Sequence, residues 1–342
     1  MGFGGVAHRP HRGDLGGTAG PGRSPGARAG QARHRRPLPA LRHGHGGRAM
    51  NTLGLFPGQG SQRPGMAAWI VDHPAAAAVF RRADEILGLP LSTLCVDGTA
   101  EELRATEVTQ PAVVATSLAL LAARTQRPDA VAGHSLGEFT ALAAAGVLDE
   151  ESVLRLVRRR GELMAEASAR SAGAMSAVLG LDVESIEKLC ATVDSGSVEV
   201  ANHNQPTQVV VSGHEVAVGE LEQLAKAAGA VKTVRLKVGG PFHSRLMADI
   251  AADFGAELDR YEFRPPAIPV LSAVTADYVT DPAEIRDLLR GQLLAPVRWV
   301  DTVRRAVADG YDELLELGPG QVLTGFSRRI APDVASAAVS AP

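Results

Sequence analysis

DAVAGHSLGEFTALAAA, residues 129–145, decides how this chain folds. Its first five letters are the short apolar run that a buried parallel strand needs, and Gly137 to Ala145 read as an alanine-rich helix. Between them stands GHSLG, Gly133 to Gly137, a strand-turn-helix corner with a serine at its apex. Such a corner strains the Ser135 backbone so that the hydroxyl projects freely, and glycines two positions to either side let the turn close. The next amide, that of Leu136, lies at the helix N-terminus, where it can donate to an oxyanion. GxSxG occurs often by chance, and a serine here would also serve as a simple N-cap. The strand before it and the helix after it favour a nucleophile.

The same alternation recurs on both sides. LGLF (Leu53–Phe56) runs into the turn PGQGSQ and a helical stretch through Ile86, and Val113 to Ala123 is apolar and helical. Between about Gly173 and Val238 the order becomes strand (MSAVLGL), helix (183–193), strand (SVEVAN), strand (QVVVSG), helix (216–228) and strand (VKTVRLKV). This βαββαβ order is that of a ferredoxin-like module. The α/β pattern then resumes with helix 244–258, strand PVLSAVT, helices 283–294 and 299–309, and strand DELLELG. The expected fold is therefore α/β: a large α/β-hydrolase-like domain with a parallel sheet, residues 50–172 and 239–332, carrying an inserted ferredoxin-like domain, residues 173–238. Residues 333–342 are expected to form a flexible tail.

Residues 1–49 hold nine Arg, no Lys and one acid, Asp14, so that within a net charge of −3 this stretch carries +8 and the remainder −11. A balance of that sign excludes a uniformly basic nucleic-acid binder for the folded part. The Gly, Pro, Arg and His of 1–49 show no apolar periodicity, which predicts a disordered basic extension, with Met50 resembling a natural start. No stretch approaches the roughly 20 uninterrupted apolar residues of a membrane span. The two cysteines, Cys95 and Cys190, lack a CxxC spacing, which argues against a disulfide framework or a thiolate metal site and fits a reducing cytoplasm.

A serine attacking an acyl group at neutral pH needs a base. Five of the ten histidines fall in residues 1–49. His134 lies inside the elbow, where it is expected to face away from its neighbour's nucleophilic side; His73, His203 and His214 fall in polar, helix-flanking or small-domain positions. His243, in the loop GGPFHS where the chain leaves the small domain, is the expected base, the plainer alternative being a histidine that caps the following helix. A hydrolase of this type places an acid before its histidine, yet Asp182 and Asp194 both lie inside the small domain. A dyad oriented by a backbone carbonyl is expected instead, which argues against an ordinary esterase.

FPGQGSQ (56–62), TQPA (109–112), GHSLGE (133–138), RRRGELM (158–164), NHNQPTQVVVSG (202–213), GPFHSRLM (240–247), QLLAPVRW (292–299) and GPGQVLTG (318–325) follow one another in this order. With these motifs the chain, from Leu53 to Ile330, resembles the malonyl-CoA:acyl-carrier-protein transacylases and the acyltransferase domains of fatty acid and polyketide synthases. The resemblance implies that Ser135 is acylated and His243 is its base. It implies that the Gln59 amide joins that of Leu136 in an oxyanion hole, and that the Gln292 backbone carbonyl holds the far nitrogen of His243. It makes Arg160 the grip on the malonyl carboxylate through two parallel charge-assisted bonds, with Arg158 and Arg159 as surface charges; the residues alone do not choose among the three. It places Gln110 at the acyl pocket, although read by itself Gln110 serves equally as a helix-start amide. Phe242 would crowd a branched methylmalonyl group. Glu138 would complement its helix dipole, and Asn202 and Asn204 would shape the cleft. Gln321 stands where some relatives have lysine.

The implied activity is malonyl transfer from malonyl-CoA to the phosphopantetheine thiol of acyl carrier protein, in fatty acid biosynthesis, without metal or redox cofactor. A monomeric cytoplasmic enzyme with no nucleic-acid or membrane partner is expected, meeting an acidic carrier through a local basic patch for which Arg328 and Arg329 are candidates. The alternatives are a serine hydrolase, a non-catalytic carrier-binding scaffold and a discrete polyketide-type acyltransferase.

Overall fold

An apolar run without alternation is satisfied only when both faces of the strand are covered, and β1 (Thr52–Phe56) meets that condition with Leu53, Leu55 and Phe56 all buried. The chain, described here from a computed structural model, is placed at Gly2, 50–170 and 173–339. The extension expected over 1–49 lies outside the described residues apart from Gly2, as do residues 171–172 and 340–342.

After β1 come α1 (Pro74–Leu87), α2 (Leu91–Asp97), α3 (Thr106–Ala123), β2 (Ala130–Gly133), α4 (Gly137–Ala144) and α5 (Glu150–Arg170). The antiparallel segment follows, with β3 (Gly173–Leu179), α6 (Val183–Cys190), β4 (Val198–Gln205), β5 (Gln208–His214), α7 (Glu215–Ala227) and β6 (Lys232–Arg235). Then come α8 (Ala248–Leu258), β7 (Val270–Ser272), β8 (Asp277–Val279), α9 (Pro282–Gln292), α10 (Trp299–Ala308), β9 (Glu313–Glu316), α11 (Val322–Ile330) and β10 (Ala335–Ala338).

Six strands form one sheet in the order β10-β9-β1-β2-β7-β8, parallel except for β8, which returns antiparallel along β7. Phe56 pairs with Gly133, so β1 and β2 end side by side. The PGQGSQ turn and the serine corner consequently leave the sheet at the same carboxyl edge, where open α/β sheets form their crevices. The second sheet, β4-β5-β3-β6, is antiparallel throughout and has the βαββαβ order read from the sequence. Its helix-covered face has a core of its own, in which Val178, Val209 and Val211 from the strands pack with Ile186 of α6 and Val218 and Leu221 of α7, while Met175, Ala177 and Val210 join the main core. A backbone link ties the second sheet to the larger unit. Val297 donates to the Ala201 carbonyl at 2.8 Å and accepts from the His203 amide at 2.9 Å, which makes a short parallel bridge to β4.

Helix α3 is buried nearly all round and accommodates Pro111 within its second turn. Proline removes the N–H that would reach the Glu107 carbonyl. Arg158 of α5 fills that vacancy, its Nη1 donating to the Glu107 oxygen at 2.8 Å. Arg158 is therefore more than the surface charge expected of it.

Three elements differ from their sequence reading. The strand expected over 231–238 runs only from Lys232 to Arg235, and after the Leu236 amide bonds to the Met175 carbonyl the chain leaves the sheet. The strand expected at 269–275 ends at Ser272 and turns through Ala276, at φ +54°, into β8. Residues 335–338, read as part of a flexible tail, form β10 at the sheet edge, pairing backbone groups of β9 that would otherwise be left open.

Candidate active site

Ser135 stands at φ +51°, a conformation that a non-glycine residue keeps only when its surroundings enforce it. The enforcing contacts are close approaches of backbone. A Cβ on Gly133 would lie 2.1 Å from the Glu138 nitrogen, and one on Gly137 would lie 1.9 Å from the Phe56 carbonyl. His243, in the loop before α8, is also at positive φ, +57°.

These two strained residues meet. Ser135 Oγ lies 2.7 Å from His243 Nε2, while His243 Nδ1 lies 3.0 Å from each of the Gln292 and Ala295 backbone carbonyls. A carbonyl only accepts, so the imidazole proton belongs on Nδ1 and Nε2 is left to accept from the serine. No carboxylate is needed to set this tautomer. Burial, and then the positive charge of Arg160, press the His243 pKa down from 6.5 to about 3, against the pull of the two carbonyls. The ring is therefore neutral and ready to accept a proton at ordinary pH.

Arg160 occupies a core-facing position of α5 and is almost fully buried. Its Nη1 donates to Gln110 Oε1 at 3.0 Å, and its Nη2 donates to Gln292 Oε1 at 3.1 Å and to Ser135 Oγ at 3.2 Å. Burial lowers its pKa to about 10, with Glu138 pulling the other way, so it remains charged near neutrality. Its buried Nε has no partner among the described residues. Arg159 instead forms half-exposed ion pairs with Glu162 and Glu166.

Gln292 ties the pieces together. Besides its carbonyl on His243, its side-chain Nε2 donates to the Ser135 carbonyl at 3.1 Å and to Glu138 Oε2 at 2.6 Å. Glu138 in turn accepts from Ser272 Oγ at 2.6 Å. Burial pushes the Glu138 carboxyl up, opposed by the hydrogen bonds from Ser272 and Gln292 and by the charge of Arg160.

A cavity of about 90 Å³ opens over Ser135, His243 and Arg160, walled by Gln59, His134 and Phe242. The antiparallel sheet contributes Met175 and Asn202, and the chain leaving β6 contributes Leu236 and Val238, so both sheets build it. The Gln59 and Leu136 amides, at the ends of the β1 and β2 turns, take part in no turn or cap hydrogen bond among the described residues.

The structure thus brings Ser135, His243, Gln59, Arg160, Gln292 and Phe242 together. Gln110 differs from its expected place: it is wholly buried inside α3, behind Arg160, with its Nε2 3.1 Å from Met164 Sδ. His134 bonds away from Ser135 Oγ, its Nε2 2.9 Å from Asn204 Oδ1 and its ring tilted against Trp299, and it lines the cavity. Glu138 stands in the first turn of α4, as expected, but it is buried there and bonded across the fold. The signal for that was present, since it is an acid in an otherwise apolar helix start, but its partners lie 134 and 154 residues away.

The acyl transferase domain family profile matches residues 55–340. The malonyl CoA-acyl carrier protein transacylase of Bacillus subtilis is 41% identical over 294 residues, covering 84% of this chain and 93% of the relative. That of Escherichia coli K12 is also 41% identical, over 84% of this chain and 95% of its own length. Among solved structures, an acyl carrier protein S-malonyltransferase from Vibrio cholerae superposes with a TM-score of 0.83 at 40% identity, covering 85% of this chain and 97% of the other. A malonyl-transacylase solved in complex with a type II polyketide acyl carrier protein gives the same TM-score at 40% identity, covering 85% of this chain and 96% of that one.

Proposed function

The chain belongs to the acyl transferase domain family, and on that premise we propose that it moves the malonyl group of malonyl-CoA to the phosphopantetheine thiol of acyl carrier protein, in fatty acid biosynthesis. The observation that carries the reading is a serine hydroxyl 2.7 Å from a neutral imidazole nitrogen and 3.2 Å from a buried guanidinium.

In the first half-reaction Ser135 Oγ attacks the thioester carbonyl as His243 Nε2 takes its proton. The oxyanion is received by the N–H groups of Gln59 and Leu136, and such donors are each worth about 10²–10³ in rate. Collapse expels the coenzyme A sulfur, which His243 Nε2–H protonates, leaving malonyl-Ser135. In the second half the carrier thiol gives its proton to His243 and attacks the ester, and the proton returns to Ser135 Oγ. Arg160 supports the reading as the counter-charge for the malonyl carboxylate, with Gln110 and Gln292 holding its nitrogens in place. Phe242, which lines the cavity, supports the reading as the residue that would crowd an α-branch. Thioester-to-ester exchange moves no electrons, so the reading calls on no redox cofactor.

We take residues 173–238 as a small domain carrying one wall of the cleft, and the enzyme as a cytoplasmic monomer. Among the described residues no helix is long and apolar enough to cross a membrane.

The test is intact mass after brief exposure to malonyl-CoA, with acetyl-CoA in parallel. A malonyl-sized adduct on the wild type, absent from Ser135→Ala, is expected. Arg160→Ala should slow malonyl loading by about 10²-fold, the usual scale for removing one member of a buried charge pair, with acetyl loading far less affected. No adduct on the wild type, or equal loading of both acyl groups by it, would overturn the reading.

A further inference from the structure

We propose that Glu138 is a positioning residue: through the side-chain amide of Gln292 it fixes the guanidinium of Arg160 in its reactive place. The inference rests on the malonyl-transfer reading and adds to it a role for a residue outside the cavity wall.

The polarity of the hydrogen bonds carries it. A primary amide has a donating and an accepting end that are nearly equal in shape, so its orientation is decided by what surrounds it. Around Gln292 the surroundings are unequivocal. Its nitrogen faces two oxygens placed to accept, Glu138 Oε2 at 2.6 Å and the Ser135 carbonyl at 3.1 Å, and its oxygen faces Arg160 Nη2, which only donates, at 3.1 Å. Turning the amide over would set NH₂ against guanidinium and oxygen against carboxylate. Glu138 has the shorter of the two contacts that prevent this.

The carboxylate is itself anchored. Ser272, at the end of β7, donates to Oε1 at 2.6 Å, which ties the first turn of α4 to the neighbouring strand. Glu138 is 4% exposed and Ser272 and Gln292 still less so, so water supplies no ready replacement. An acid serving only the α4 dipole would be as effective facing solvent; burying one is costly unless its partners are fixed. Arg160 is the charged group that faces it, through the Gln292 amide. One rigid chain thus runs from the sheet through Ser272, Glu138 and Gln292 to Arg160, and Gln292 also carries the carbonyl that holds His243.

The experiment compares initial rates of malonyl and acetyl loading of Ser135 by intact mass, in wild type, Glu138→Gln and Ser272→Ala, with thermal midpoints as the fold control. Glu138→Gln keeps the side-chain shape but puts an NH₂ where an acceptor stood, so the Gln292 amide loses its fixed orientation. Acetyl has no carboxylate for Arg160 to hold, so the malonyl-to-acetyl rate ratio should fall by about tenfold, as expected for a sub-ångström misplacement of a positioned group. Ser272→Ala loosens the carboxylate without removing it and should lower the ratio by about threefold. Folded variants that keep the wild-type ratio, whether both rates stay or fall together, overturn the proposal. If Glu138→Gln does not fold, Ser272→Ala decides alone by the same criterion. A wild type that takes no malonyl group would instead overturn the malonyl-transfer reading itself.

Discussion

Ser135 reacts only while its partner imidazole is neutral, and the His243 site is built to keep it so. Desolvation and the Arg160 charge both disfavour imidazolium, and they outweigh the two carbonyls on Nδ1. The sign for activity follows directly. A base whose pKa is depressed stays deprotonated further into acid, so the acid limb of kcat/KM for malonyl loading should have its midpoint well below 6.5. A measured midpoint at or above 6.5 would contradict this electrostatic account. At the same scale, the sequence pointed to Ser135 and His243 by context, since each lies in a glycine-bearing turn between elements. It did not separate Arg160 from Arg158 and Arg159, because three consecutive helical arginines differ only in the direction each faces. Packing of α5 on α3 buries Arg160 against Gln110, hands Arg158 to the carbonyl freed by Pro111, and leaves Arg159 with surface acids.

Among the elements, the junction of β1, β2 and α4 is the tightest. Gly137 lets α4 begin against the carbonyl of Phe56, and a methyl group there would sit 1.9 Å from that oxygen. Gly137→Ala must therefore push α4 from β1, and the turn that starts at β1 carries the Gln59 amide. A loss of at least about 1–3 kcal/mol in urea unfolding is expected, the scale of an overpacked core. Malonyl loading should fall with it; an alanine variant with wild-type midpoint and rate would show that the junction has slack. Alternating elements were legible from apolar periodicity, yet their ends were not. Leu236 and Val238 continue an apolar pattern past β6 because they line the cavity, and periodicity does not distinguish a wall from a strand.

Across the whole molecule, the cavity exists only because the antiparallel sheet is held over the carboxyl edge of the parallel one. The described backbone link is Val297, whose N–H reaches the Ala201 carbonyl beside the cavity residue Asn202. Val297→Pro deletes that donor and strands an acceptor, which should cost about 1–3 kcal/mol in urea unfolding and slow malonyl loading as the Asn202 wall shifts. Unchanged midpoint and rate would mean that side-chain packing alone sets the two sheets. The sequence by itself determined the βαββαβ order of 173–238, the strand and helix alternation around it, the serine corner and its histidine, because periodicity, glycine placement and turn chemistry are local properties. Tertiary structure decided which arginine enters the site, that Gln110 lies behind it, and that Glu138, Ser272 and Gln292 form one hydrogen-bonded chain. Those contacts join residues 50 to 154 positions apart, and they arise only where packing brings buried polar groups together and requires each to find a partner.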